Sequence, residues 1–135
     1  MAVVPSTSTL PSISGLTAVN LDNLVAGSAD GYPAVPAVVT GVKIDNSSNS
    51  TEAVYIRFYD DLTPVAGTEK AHMVLKCPVS GTVEYQFGGE DDSSPRGIDF
   101  TVGVSALACK EAGADAGSLT DPTVAVDVSY TYLVT

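Results

Sequence analysis

The chain contains no tryptophan, one histidine, two cysteines and only six lysine and arginine residues in 135. Each shortage excludes something. A histidine-based catalytic or metal centre needs partners, and His72 has Ala71 and Met73 as its neighbours; it reads as an outward-facing strand residue. Without a second histidine, no Ser-His-Asp set can be assembled that does not commit His72. Two cysteines, Cys77 and Cys109, are too few for a disulfide framework. One bridge between them stays open, with free buried thiols in a reducing cytoplasm the expected state. Scarce cations and a net charge of -10 exclude binding to a phosphate backbone, which requires cationic groups in place of counterions. They also disfavour anionic membranes. Charged residues are 16% of the chain, against about 25% in an average globular protein. No run approaches the roughly 20 apolar residues of a membrane span, and the N-terminus lacks the basic and apolar regions of a secretion signal.

What is present is β-strand pattern. In Glu52 to Asp60, Val54, Ile56 and Phe58 fall on one face and Tyr55, Arg57 and Tyr59 on the other. That period of two marks a strand with two different surroundings. Val35 to Ile44 is a second strand, with Pro36 placing its start at an edge and Gly41 hinting at a bulge. Lys70 to Val79 and Thr82 to Phe87 read as a hairpin turning at Ser80-Gly81, with glycine supplying positive φ. Ile98 to Ala108 reads as one strand, and Thr123 to Val134 as the last, with Val124, Val126, Val128, Tyr130, Tyr132 and Val134 on one face. Six or more strands at such spacing predict an all-β, antiparallel β-sandwich, jelly-roll-like in kind. The domain is expected over 35–135.

Residues 1–34 differ. They hold three prolines, isolated aliphatics and only two charged side chains, Asp22 and Asp30. That is too apolar for a disordered tail, and an extended N-terminal arm is predicted, with Leu10, Ile13, Leu16 and Leu21 as contact residues. Whether Thr17 to Val25 is a strand or a short helix stays open at this level. The second face of the first strand, Tyr55, Arg57 and Tyr59, is a further interface candidate. The acidic run Glu90, Asp91, Asp92, with Asp99 nearby, is the one cluster for which calcium would be the expected ion. Its spacing matches no calcium loop, and a solvated loop is the simpler expectation. No cofactor is expected. Asn46-Ser47-Ser48 and Asn49-Ser50-Thr51 fit the glycosylation sequon and read as a turn.

From residue 46 onward the order of short motifs resembles a family of small virion proteins of tailed bacteriophages. The matching pieces are Val54 to Asp60, Thr63-Pro64-Val65-Ala66-Gly67-Thr68, Cys77-Pro78-Val79-Ser80-Gly81-Thr82-Val83 and Tyr85-Gln86-Phe87. Gly97 to Val104, Gly113-Ala114-Asp115 and Val124 to Tyr130 complete the set. The loop 88–96 is longer and more acidic than the family pattern, and the arm is not covered. The family offers no catalytic residues to carry over. The resemblance implies a structural, non-enzymatic capsid decoration or cement protein at the capsid surface of a virion, made in the host cytoplasm. Its implied partners are the major capsid protein and itself, as a homotrimer, with neither nucleic acid nor membrane. The alternative is a tail or baseplate β-sandwich that binds host glycans through Tyr55 or Tyr59; a calcium-dependent adhesion module is a third class.

Overall fold

In a computed structural model of the chain, the residues described are 2–3, 17–24, 31–64, 69–87, 97–113 and 118–134. They contain strands and no helix. The strands are β1 (Ala2–Val3), β2 (Thr17–Leu24), β3 (Ala37–Asp45), β4 (Val54–Tyr59), β5 (Met73–Cys77), β6 (Thr82–Gln86), β7 (Ile98–Phe100), β8 (Ser105–Cys109) and β9 (Val126–Val134). They form two antiparallel sheets. One runs β1-β2-β9-β3-β6, with β7 also pairing β3; the other runs β5-β4-β8.

The alternation read in the sequence sets the core. Val54, Ile56 and Phe58 of β4 meet Val42, Ile44, Val128 and Tyr130 of the larger sheet in one buried cluster. The two sheets therefore pack face to face as a sandwich. Phe58 lies edge-on to Tyr130, with ring centroids 5.7 Å apart, and to Phe100, at 6.5 Å. Each such aromatic pair adds about 0.5–1.5 kcal/mol beyond area burial. β4 is the central strand of its sheet, and a second, smaller cluster that includes Ala71 and Leu119 from outside the strands lies on its other face.

Several boundaries differ from the sequence reading, each for a physical reason. β5 and β6 do not form a hairpin: β5 pairs β4 and β6 pairs β3, in different sheets. The turn Pro78 to Gly81, closed by the Gly81 amide donating to the Pro78 carbonyl at 3.1 Å, carries the chain from one sheet to the other. Positive φ falls on Ser80, at 55°, the third position of that turn, and not on Gly81. The stretch 98–108 is two strands. β7 ends at Phe100 in the larger sheet and β8 starts at Ser105 in the smaller one. β3 is a central strand, not an edge. Pro36 sits one residue before it, where its missing N–H costs no ladder bond. The bulge anticipated near Gly41 lies at Thr40, where the register to β9 shifts. The Thr40 hydroxyl meets that of Thr131 at 2.7 Å and the Thr40 carbonyl accepts from Phe87 N at 2.9 Å.

Thr17–Leu24 is a strand inside the sandwich. β2 pairs β9 along its length, and Val19 and Leu21 are fully buried in the common core. Each such side chain contributes about 1.5–3 kcal/mol. A deletion that stops at residue 16 is therefore expected to keep a cooperative unfolding transition. One that removes β2 as well should abolish it, and circular dichroism melts of the two truncations would separate these outcomes.

Candidate binding surfaces

The second face of β4 is closed over by the chain itself. Arg57 is 2% exposed, Tyr59 is fully buried and Tyr55 is half-buried. Tyr55 and Tyr59 pack with Ala71, Val74, Leu107, Cys109 and Leu119 in a smaller cluster outside the main core. Arg57 and Tyr59 thus offer no side-chain surface to a second subunit or to a glycan in this conformation, contrary to the interface expectation. Tyr55 keeps partial access. The Arg57 guanidinium, charged at every working pH, donates from Nε to the Cys109 sulfur at 3.4 Å. The Tyr59 hydroxyl faces the Arg57 guanidinium, close to it but outside good hydrogen-bonding geometry. Burial pushes its phenol above the ordinary value, against the pull of the nearby Arg57 charge. A buried hydroxyl this poorly paired recovers little of its desolvation cost. Tyr59→Phe is therefore expected to leave stability unchanged or raise it by up to about 1 kcal/mol. A loss larger than that in denaturant titration would mean the hydroxyl is in fact bonded.

The two cysteines are free and buried. Cys77 lies opposite Val54 and Cys109 opposite Tyr55, on either side of β4. Consecutive strand residues face opposite ways, so the two sulfurs are on opposite faces of the sheet and a bridge between them is geometrically excluded. Burial pushes the Cys77 thiol up.

Carboxylates fasten the loops. The Asp60 carboxylate accepts from the backbone N–H groups of Thr101 (2.9 Å), Val102 (2.8 Å) and Gly103 (3.3 Å), and from the Thr101 hydroxyl. Glu52 accepts from Thr123 N at 3.1 Å and from its hydroxyl, and sits 3.7 Å from Lys110 Nζ. Glu111 accepts from Thr120 N and Oγ1, both at 2.8 Å. Asp45 accepts from Ser47 N at 2.9 Å. All four are held below the ordinary carboxylate range. For Asp45 and Glu52 the hydroxyls of Ser47 and Thr123 are the largest influence. For Asp60 and Glu111 the donors overcome an opposing burial effect. Of the described carboxyl groups only Glu69 moves up, through burial and then the neighbouring Asp61.

A carboxyl group whose folded value lies below its unfolded value, about 4, stabilises fully above that unfolded value. It loses that contribution as pH falls through the folded one. Stability is therefore expected to hold from neutrality to about pH 5 and to decline below about pH 4, with Glu69 offsetting only part of the loss. Asp60→Asn should flatten the acid limb; an unchanged slope in pH-dependent denaturant titrations would contradict the clasp.

A second fastening is made of amides. Asn46 and Asn49 are 1% and 2% exposed. Asn46 Nδ2 donates to the carbonyls of Glu52 and Pro78, both at 3.0 Å. Asn49 Nδ2 donates to Asn46 Oδ1 (2.7 Å) and to the Val124 carbonyl (2.8 Å), and Asn49 Oδ1 accepts from Val124 N (2.7 Å). Both sequon asparagines are thus spent inside the protein, so the folded chain is no glycan acceptor there.

Of the remaining expected residues, Leu21 is core, opposite Val128 on β9. Leu10, Ile13 and Leu16 lie outside the described residues, as do Glu90, Asp91 and Asp92. Among the described residues no group of three or more His, Cys, Asp or Glu is placed to hold a metal ion, and no helix is long and apolar enough to cross a membrane. His72 is exposed, with Nε2 2.8 Å from the Asp99 carbonyl and its ring 4.7 Å from that of Phe100.

The sequence reading missed the end of the sandwich built from residues 31–36, 60–64 and 101–104. There Val104 N donates to the Pro33 carbonyl at 3.1 Å and Ser105 Oγ to the Asp61 carbonyl at 2.8 Å. The Tyr130 hydroxyl lies between Tyr32 N (3.2 Å) and the Tyr32 carbonyl. Apolar residues sitting in proline- and aspartate-rich loops were its only signal. Comparison with protein-family models, with curated proteins and with solved structures finds no match for this chain.

Proposed function

We propose that the chain is a structural virion protein of a tailed bacteriophage, a capsid decoration or cement protein that bridges and stabilises major capsid subunits without catalysing a reaction. In this reading it sits on the capsid surface as a homotrimer. The sandwich is jelly-roll-like, and the part of the arm ahead of β2, with Leu10, Ile13 and Leu16, reaches a neighbour. The observation that carries the reading is how the polar side chains are used. Asp45, Asp60, Glu111, Asn46 and Asn49 are all spent on fastening the chain's own loops. Loops fixed in advance bind without paying ordering entropy at the interface, which suits a protein that acts by bracing a shell. The motif order from Val54 to Tyr130 supports the same class, and the net charge of -10 discourages adhesion to packaged DNA.

The test is sedimentation of the purified chain with empty shells assembled from the major capsid protein of the same phage. Saturable binding is expected, together with a rise in shell melting temperature that grows with occupancy. A chain in excess that stays in the supernatant and leaves shell melting unchanged would remove the reading.

A further inference from the structure

The sandwich end built from residues 31–36, 60–64 and 101–104 presents apolar side chains to solvent on a fixed frame. Tyr32, Val35, Leu62 and Val102 are 42%, 43%, 49% and 46% exposed. They come from three loops that meet at one point, Gly103. A Cβ there would stand 2.6 Å from Leu62 Cδ2, 2.9 Å from the Pro33 carbonyl oxygen and 3.4 Å from the Ala34 Cα. Leu62 therefore lies directly over the Gly103 backbone beside Pro33 and Ala34, with Val102 and Val35 each one residue away. Gly31 makes a second close approach, since a Cβ at that position would be 2.1 Å from the Val104 carbonyl oxygen.

The frame is polar and turned inward. The Asp60 carboxylate is directed at the backbone of 101–103 and the Tyr130 hydroxyl at Tyr32. Exposed apolar side chains gain nothing for the fold, yet here they are gathered on loops fixed by four separate side chain and backbone contacts. Exposed apolar side chains on loops that approach this closely mark candidate interaction sites. A preorganised one meets a partner with little rearrangement.

Charge selects the partner. The chain carries 16 acidic residues against six lysines and arginines. Asp61, whose Oδ1 accepts from Thr63 N at 3.0 Å, precedes Leu62, so a carboxylate stands at the edge of the patch. A second copy would bring the same border and be repelled.

We propose that this end of the sandwich docks onto a protein surface bearing an apolar depression bordered by lysine or arginine side chains. The proposal rests on the shell-binding reading, in which that surface belongs to the capsid shell. The carboxylate border steers and orients the encounter, while Leu62 and Val102 fill the depression and supply most of the affinity.

The experiment compares shell sedimentation of the wild type, a Val35→Ser, Leu62→Ser, Val102→Ser triple variant, and a Val79→Ser, Val124→Ser variant. The last two residues are the exposed valines at the opposite end. All five positions are exposed, so melting temperatures should stay close to wild type; if the triple variant melts early, Leu62→Ser alone takes its place. The triple variant is expected to bind about tenfold more weakly or worse, the opposite-end variant within about twofold of wild type, and all binding to weaken with added salt. Equal binding by the triple variant overturns the docking face while leaving the shell reading intact. A wild type that does not sediment with shells overturns both. A wild type that self-associates, and is made monomeric by the triple variant, identifies a second copy as the occupant and overturns the proposal as stated.

Discussion

Replacing Phe58 by alanine should destabilise the protein by about 3–5 kcal/mol. Phe58 is fully buried near the end of β4, the middle strand of its sheet, and touches the rings of Phe100 and Tyr130 edge-on. Those partners come from β7 and β9 of the other sheet, so the substitution opens a cavity where the two sheets meet. The loss combines the transfer free energy of the benzyl group, two aromatic contacts and incomplete collapse around the void. Denaturant titration should show a lower midpoint with an unchanged slope. A loss below about 1.5 kcal/mol would mean that the sheets do not pack through this residue.

Asn49→Asp is expected to cost about 3 kcal/mol at neutral pH, although it changes the side-chain volume hardly at all. The asparagine amide donates to two oxygens, Asn46 Oδ1 and the Val124 carbonyl. A carboxylate facing those oxygens donates nothing and repels both. Only the bond from Val124 N survives. The introduced carboxyl would have a folded value above its unfolded one, so its penalty is present at neutral pH and shrinks as pH falls through the folded value. The variant should thus recover part of its deficit between about pH 6 and 4, the range over which the wild type is level or beginning to decline. Asn49→Asp melting like the wild type at neutral pH would show that the amide does not join residues 46–49 to 124.

These two sites also show how far the sequence could be read. The Phe58 face was legible because alternation over 54–59 is a local property, and the same is true of Val126, Val128 and Tyr130 on β9. The sheet each strand joins was not legible. Ser80-Gly81 is a tight turn whether it closes a hairpin or carries the chain across the core, and only the pairing of β6 with β3 decides. The break between β7 and β8 was hidden because Val102 and Val104 continue the period of the preceding strand. It is imposed from 41 residues away, by the Asp60 carboxylate holding the 101–103 backbone. Leu21 was misplaced for a related reason. Its segment has the scattered aliphatics and low charge of an arm, and its burial follows from pairing with a strand more than a hundred residues later. Arg57 and Tyr59 look like a surface on any strand diagram; the covering cluster around Leu107 and Leu119 assembles only in three dimensions.

The exposed end around Leu62 was illegible in the same way. Its apolar residues are spread over three loops and become one patch only through the approach at Gly103. The carboxylates and amides hold loops that look solvated in the sequence, as Asp60 holds 101–103 and Asn49 holds Val124.

The most direct test of the decoration account is a cryo-electron microscopy reconstruction of empty shells incubated with the purified chain. The account predicts density for a two-sheet sandwich at symmetry-related positions on the outer surface, with the loops at 31–36, 60–64 and 101–104 against the shell. An undecorated shell, or density for the chain confined to the tail, would contradict it.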